Sequence, residues 1–296
     1  MVVSLFQNTE RGIMKVIQDF FIKKLYFTGS TGKRSVYVTL IKGNKNCLID
    51  TGTANNFDDI KSFCEEEGVQ INNLNIIINT HCHPDHIGCN HLFKKANPDI
   101  IFYAHRLAKP YIEDIEKQYK ERPIPGFFNL ISNSTKVDKS LEDGDIIDIG
   151  MELRIIHTPG HSKGSISIFV PEKDILIIGD SVPGRQDVPI YENVNELKKS
   201  FLQLKKTGAK HVISSFDGYC NNISDVVKNG EKLTSKVDQY VKEYFKKSEI
   251  RNINNVGDSV LEEVVIFVLD RLGFKLKPTG NVTKSIKSHI MNYLSN

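Results

Sequence analysis

The stretch that constrains this chain most is Thr80-His81-Cys82-His83-Pro84-Asp85-His86-Ile87-Gly88, which sets four potential metal ligands within six positions. It follows Asn75-Ile76-Ile77-Ile78-Asn79, a β-branched and unbroken run that suits a strand buried on both faces of a sheet. His81 and His83 are two apart, so in extended backbone their imidazoles project to one side and Cys82 to the other. Imidazoles placed in this way can grip one ion. Pro84 fixes φ and turns the chain, which lets Asp85 and His86 aim at a second position beside the first. Imidazole nitrogen with carboxylate oxygen suits zinc, and iron or manganese less selectively. The bland alternative, a polar loop whose histidines cap a helix, leaves so dense a run of an uncommon residue unexplained.

Composition agrees with an ordinary globular protein and removes other classes. Hydrophobic residues make up 40% and charged residues 25% of the 296, a length that suits one large domain with an appendage. The balance of 39 Lys and Arg against 36 Asp and Glu leaves +3, so nothing calls for nucleic acid. The lysines between Lys198 and Lys206 read as a solvated helix face. No apolar run reaches the length of a membrane span, and Met1 to Asp19 has neither a basic start nor a sustained apolar core. A cytoplasmic protein with no membrane attachment is expected. Cys47, Cys64, Cys82, Cys89 and Cys220 are odd in number and irregularly spaced, which argues against a disulfide framework.

Around the motif, strands alternate with helices. Val36 to Ile41 and Asn46 to Asp50 are strands joined by the Gly/Asn turn 42–45, a predicted hairpin. Asp50 ends the second, where it either orients a ligand from behind or caps the helix predicted from Phe57 to Glu67. A helix from Cys89 to Lys95 and a strand from Ile100 to Ala104 continue the α/β alternation. The irregular region 109–138 carries Arg122-Pro123-Ile124-Pro125-Gly126-Phe127-Phe128, a candidate flap over a site. Short strands follow at 146–149, 152–156, 165–169 and 175–178. The loop Thr158-Pro159-Gly160-His161 and the end Gly179-Asp180 each put a potential ligand at a strand terminus, where α/β folds build sites.

Leu48-Ile49-Asp50-Thr51-Gly52, the motif at 80–88, Thr158-Pro159-Gly160-His161 and Gly179-Asp180, in this order, resemble the metallo-β-lactamase-fold hydrolase superfamily over roughly residues 30–220, with hydroxyacylglutathione hydrolases among its kinds. The resemblance implies an α/β fold, a four-layer αβ/βα sandwich with metals at one edge. It implies that His81, His83 and His161 hold one ion, that Asp85 and His86 reach a second, and that Asp180 bridges them. Two zinc ions are the expected cofactor, with iron or manganese as alternatives. They would supply an activated hydroxide to a small acyl substrate, a thioester or lactone rather than a β-lactam, with Asp85 also orienting the nucleophile. His105 and His157 would be structural or supporting. The family's last histidine, in the loop after strand 211–213, is replaced: Ser214-Ser215-Phe216-Asp217-Gly218 puts Phe216 there, which cannot ligate. Asp217 or, less aptly, His211 could substitute. Cys89 stands at a usual glycine, with only a packing consequence expected.

Residues 1–220 read as the hydrolase domain and 221–296 as a C-terminal helical region of period 3.6. Gly230 is a candidate break, Ser259-Val260-Leu261-Glu262 a capping box and Gly273 a stop. The apolar faces of these helices need burial, against the hydrolase domain or in a homodimer. Two other functions remain compatible with the residues: a mononuclear iron oxidoreductase acting on a persulfide, and a non-catalytic binding module in which Phe216 marks a decayed site.

Overall fold

A computed structural model of the chain describes residues 12–29, 32–184, 188–248, 250, 252, 255–275 and 277–295; the start of the N-terminal stretch read above, residues 1–11, lies outside them. One sheet has seven strands in chain order: β1 (Ile13–Ile17), β2 (Phe20–Gly29), β3 (Gly32–Ile41), β4 (Asn46–Ile49), β5 (Leu74–Asn79), β6 (Ile101–His105) and β7 (Lys139–Leu141). Its first four strands are antiparallel neighbours, and β4 to β7 run parallel. The second sheet contains β8 (Ile146–Asp148), β9 (Glu152–His157), β10 (Ile166–Val170), β11 (Ile175–Gly179), β12 (His211–Ser214) and β13 (Gly218–Asn221), in the order β13-β12-β11-β10-β9-β8. Only β11 and β12 are parallel in it. The helices are α1 (Phe57–Glu66), α2 (Pro84–Ile87), α3 (Asn90–Ala96), α4 (Lys109–Ile112), α5 (Ile115–Glu121), α6 (Phe127–Leu130), α7 (Val194–Lys206), α8 (Ile223–Lys247), α9 (Asp258–Leu272) and α10 (Gly280–Leu294).

The period of two in the strands builds the layers. Cys47, Ile49, Ile76 and Ile78 face the second sheet and share a core with Ile175 and Ile177. Leu48 and Ile77, one residue out of step, face outward onto Ile60 and Phe63 of α1 and Phe93 of α3. On the other side Leu176 and Ile178 pack on Leu197, Phe201 and Leu204 of α7 and Val226 and Val227 of α8. The result is helices, sheet, sheet, helices: the αβ/βα sandwich. The lysines of α7 are largely matched within the chain, Lys198 to Asp238, Lys199 to Glu196 and Lys205 to Glu231.

After β13 the three C-terminal helices bury their stripes on one another, Val237, Val241 and Phe245 against Val264, Val265, Val268, Ile286 and Ile290. A buried chain of polar groups ties them to the segment before α7: Tyr191 Oη meets His289 Nε2 at 2.6 Å, and His289 Nδ1 meets Asp238 Oδ1 at 2.6 Å. Gly273 ends α9 in the left-handed conformation, φ 87°. Two expectations need correction. The first turn of α9 is capped by Gly257, without a side-chain hydrogen bond, so Ser259 and Glu262 form no capping box.

Gly230 does not break α8, which runs unbroken from Ile223 to Lys247. It is a close-approach residue: a Cβ there would lie 2.8 Å from Val182 Cγ1 and 2.9 Å from Phe201 Cζ. Gly230→Val is therefore expected to lower the unfolding free energy by about 1–3 kcal/mol through overpacking. Urea denaturation would measure it, and a gain in stability would contradict this packing of α8 on α7.

Candidate metal centre

The chain delivers each candidate ligand just past a strand end: Asp50 after β4, His81, His83, Asp85 and His86 after β5, His161 between β9 and β10, and Asp180 after β11. Thr80 accepts at its carbonyl from Ile166 N–H at 2.8 Å, which joins the two sheets beside the site. Pro84 starts α2, and the backbone of Gly88 donates to Gly52 O. Gly88 must be glycine, because a Cβ would fall 2.3 Å from Leu130 O and 2.5 Å from Thr53 Cα, both backbone atoms.

Three ring nitrogens converge. His83 Nδ1 lies 2.9 Å from His81 Nε2 and 2.8 Å from His161 Nε2. The partners of the other ring nitrogens decide the protonation. His161 Nδ1 faces the carbonyl of Ile190 at 2.8 Å and so carries a proton, leaving Nε2 bare. The Thr80 hydroxyl donates to Asp50 Oδ2 at 2.7 Å, so toward His81 Nδ1, 3.1 Å away, it accepts, and His81 Nε2 is bare as well. Two such lone pairs facing His83 Nδ1 are satisfied by a proton on that nitrogen or by a cation among the three. Burial, aided by the neighbouring histidines, pushes the pKa of His81 well below its usual value; for His83 burial acts first and Arg122 next. Burial lowers His161 too, against the pull of Asp180. All three are held in the neutral form a metal requires.

A second group of donor atoms joins His81, His86 and Asp180, all buried. The two Asp180 oxygens face different histidines: Oδ1 is 3.4 Å from His86 Nε2, and Oδ2 is 3.3 Å from His161 Nε2 and 3.8 Å from His81 Nε2. His86 Nδ1–H donates to Asp50 Oδ2 at 2.8 Å, which turns Nε2 toward Asp180. His86 Nε2 and Asp180 Oδ1 are both buried with no hydrogen-bond partner. Burial opposes a charge on His86, yet Asp180, Asp50 and Asp85 together raise its pKa well above the usual value. Burial would raise the Asp180 carboxyl, and His86 and His161 outweigh it. Orphaned, buried and oppositely inclined, this pair has the donor chemistry of a divalent-ion site.

Asp85 stands beside this group, its Oδ2 3.9 Å from His86 Nε2 and its side chain 28% exposed on the chamber wall. Asp50 lies behind the ligands: besides His86 it accepts from Thr80 N at 2.8 Å and the Thr80 hydroxyl. Its backbone is left-handed, φ 63°, and it caps no helix, since the residue that caps α1 is Asn56. His105 and His157 stack on each other, ring centroids 4.0 Å apart, outside both ligand groups. His211 starts β12 opposite Ile175, at the other end of the strand pair from Asp180, and bonds Tyr219 Oη. Phe216 lines the metal chamber, and Asp217 belongs to neither ligand group among the described residues. The buried Cys89 thiol donates to Thr53 O and packs against α1 and α3.

Several wall residues carry no functional signal in the sequence. Ile124 and Pro125 of the candidate flap border the chamber, and Phe127 is buried beneath them. Arg34, Arg122, Thr279 and Asn281 border it too. No local pattern marks an arginine before a proline or an asparagine in a terminal helix.

Residues 31–214 match the sequence profile of the metallo-beta-lactamase superfamily. The chain belongs to this superfamily. Its His and Asp clusters are consistent with the metal site of a metallo-beta-lactamase fold. Over 179 residues it is 34% identical to a probable metallo-hydrolase of Methanocaldococcus jannaschii, which covers 56% of this chain and 78% of that protein. Over 110 residues it is 28% identical to a hydroxyacylglutathione hydrolase of Brucella anthropi, 37% of this chain and 34% of that one. A metallo-beta-lactamase family protein of Thermus thermophilus shares the fold at a TM-score of 0.72 and 16% identity, over 94% of each chain. That superfamily fold therefore continues past β13 into the C-terminal helices. Among the described residues no helix is long and apolar enough to cross a membrane.

Proposed function

We propose that this chain is a metal-dependent hydrolase of small acyl compounds, thioesters or lactones, that works with two zinc ions. The observation that carries the reading is the buried His86 Nε2 facing Asp180 Oδ1 at 3.4 Å, neither with a hydrogen-bond partner, a pairing that a divalent cation satisfies. The relationship to a probable metallo-hydrolase and to a hydroxyacylglutathione hydrolase supports it. In this reading His81, His83 and His161 would hold one ion, His86 and Asp85 would hold the other, and Asp180 would be a ligand shared between them. Residues 1–220 carry the chemistry, and the helices after 221 close the chamber.

When bound, a pair of divalent ions lowers the pKa of water toward neutrality and polarises the acyl oxygen. The chain's own part is geometric. Asp85, partly exposed on the chamber wall, orients the attacking water and receives its proton. Asp50 and Thr80 hold His86 and His81 in the tautomers that present Nε2. Phe27, Ile124, Leu130 and Phe216 give the wall an apolar part on which an acyl group can pack, beside the polar Arg34, Arg122, Thr279 and Asn281.

Metal identity and stoichiometry, measured by plasma mass spectrometry on protein purified without added metal, test the reading in the parent and in Phe216→His. Two zinc ions per chain in the parent are expected, with turnover of a thioester or lactone panel. In Phe216→His the second ion should bind about 10-fold tighter or more, since an imidazole is added to its ligands. A single iron in the parent with oxygen consumption would replace the hydrolase by an oxidoreductase.

A further inference from the structure

Two cavities meet at the metal centre. The chamber itself, about 100 Å³, is bordered by His83, Asp85, His161 and Asp180. A second cavity of about 260 Å³ adjoins it, and His83 and Arg122 line both. The Arg122 side chain sits in this shared wall only half satisfied. Its Nε donates to Asn281 Oδ1 of α10 at 2.8 Å, while Nη1 is buried with no hydrogen-bond partner. Asp85, Glu192 and Asp180 influence its charge, yet Arg122 makes no ion pair among the described residues. A guanidinium N–H buried without an acceptor is costly, and the planar fork of N–H donors matches a carboxylate.

We propose that the second cavity receives the half of the substrate that bears a carboxylate, with Arg122 as its anchor; the proposal rests on the hydrolase reading of the metal centre. Lys163 and Lys284 line the same cavity, and Lys284 Nζ donates to the carbonyl of Glu121, at 3.1 Å, rather than to a carboxylate. Arg122 is the cationic group where this cavity adjoins the chamber. Glu121 and Glu192 also line it, which disfavours a doubly charged phosphate and favours a single negative charge. Asn281 is the positioning residue: it lies on α10, and its grip on Nε sets the plane of the guanidinium. The C-terminal helices thereby take part in substrate selection.

The test compares 3-(acetylthio)propionate, its methyl ester and 2-(acetylthio)ethyl phosphate. In the zinc-loaded protein Arg122→Gln is expected to raise KM for the acid about 10- to 100-fold more than for the ester, with bound metal unchanged. Asn281→Ala should show a smaller effect of the same kind, and Arg122→Lys should recover part of the preference. Calorimetric titration of metal-stripped protein with the same compounds should show the parent binding the acid more tightly than the ester or the phosphate, a preference absent from Arg122→Gln. Equal loss for acid and ester, or no preference in the stripped parent, would overturn the anchor; tighter binding of the phosphate would overturn the carboxylate. If the parent hydrolyses none of the compounds, the hydrolase reading falls, and the titration still decides the subsite.

Discussion

Asp180→Asn is expected to reduce turnover by about a thousandfold and to leave roughly one metal ion per chain in place of two. The two carboxylate oxygens face different histidines, Oδ1 toward His86 and Oδ2 toward His161 and His81. Asparagine keeps the shape but offers one oxygen and an NH₂ group, which donates and cannot ligate. It also removes the negative charge that sits between the two histidine sets. Because the side chains are nearly isosteric, the fold should survive, and circular dichroism would confirm an unchanged thermal transition in the chelated protein. Turnover and metal content measured on the same preparation give the result. Retention of two ions and of activity would mean that the carboxylate does not connect the two positions.

Asp50→Ala should weaken zinc binding about 10- to 100-fold although Asp50 touches no proposed ion. Its carboxylate accepts three buried hydrogen bonds, from Thr80 N, the Thr80 hydroxyl and His86 Nδ1, all between 2.7 and 2.8 Å. Alanine leaves those donors unsatisfied, at about 1–3 kcal/mol each before water enters. His86 is then free to rotate and to change tautomer, and Thr80 no longer fixes the proton of His81. Competition against a chelator of known affinity measures the loss, and Asp50→Asn should fall between the two, since it keeps one acceptor. Unchanged zinc affinity in Asp50→Ala would show that the metal ligands are held by packing alone.

Much of this architecture was readable along the chain. Runs such as Ile76-Ile77-Ile78 and Ile175-Leu176-Ile177-Ile178 divide their side chains between two cores, as a doubly buried strand must. The glycine and asparagine of turn 42–45 join a hairpin whose register pairs Ile41 with Cys47 and Leu40 with Leu48. The tail was harder to read. Gly230 is a weak helix former, which by itself suggests a break, yet the reason for a glycine is the ring of Phe201 pressed against it from α7. Ser259 and Glu262 have the spacing of a capping box, but α9 starts two residues earlier than such a box would need, at Asp258.

The sequence by itself determined the run of strands and helices around the motif, the strand ends that carry His81, His83, Asp85, His86, His161 and Asp180, and the departure at Phe216. The strands and their ends follow from spacing over a few residues, where backbone geometry dictates which way a side chain points, whereas Phe216 stands out only against the pattern of the superfamily that the chain resembles. Only the tertiary structure decided that Asp50 braces His86 and Thr80 rather than capping a helix, and that His211 lies at the far end of its strand. It also decided that Arg122 of the α5 end meets Asn281 of α10 across 159 residues of chain. Such contacts depend on how whole layers pack, a matter of summed apolar burial that carries no local signature in the residues it brings together.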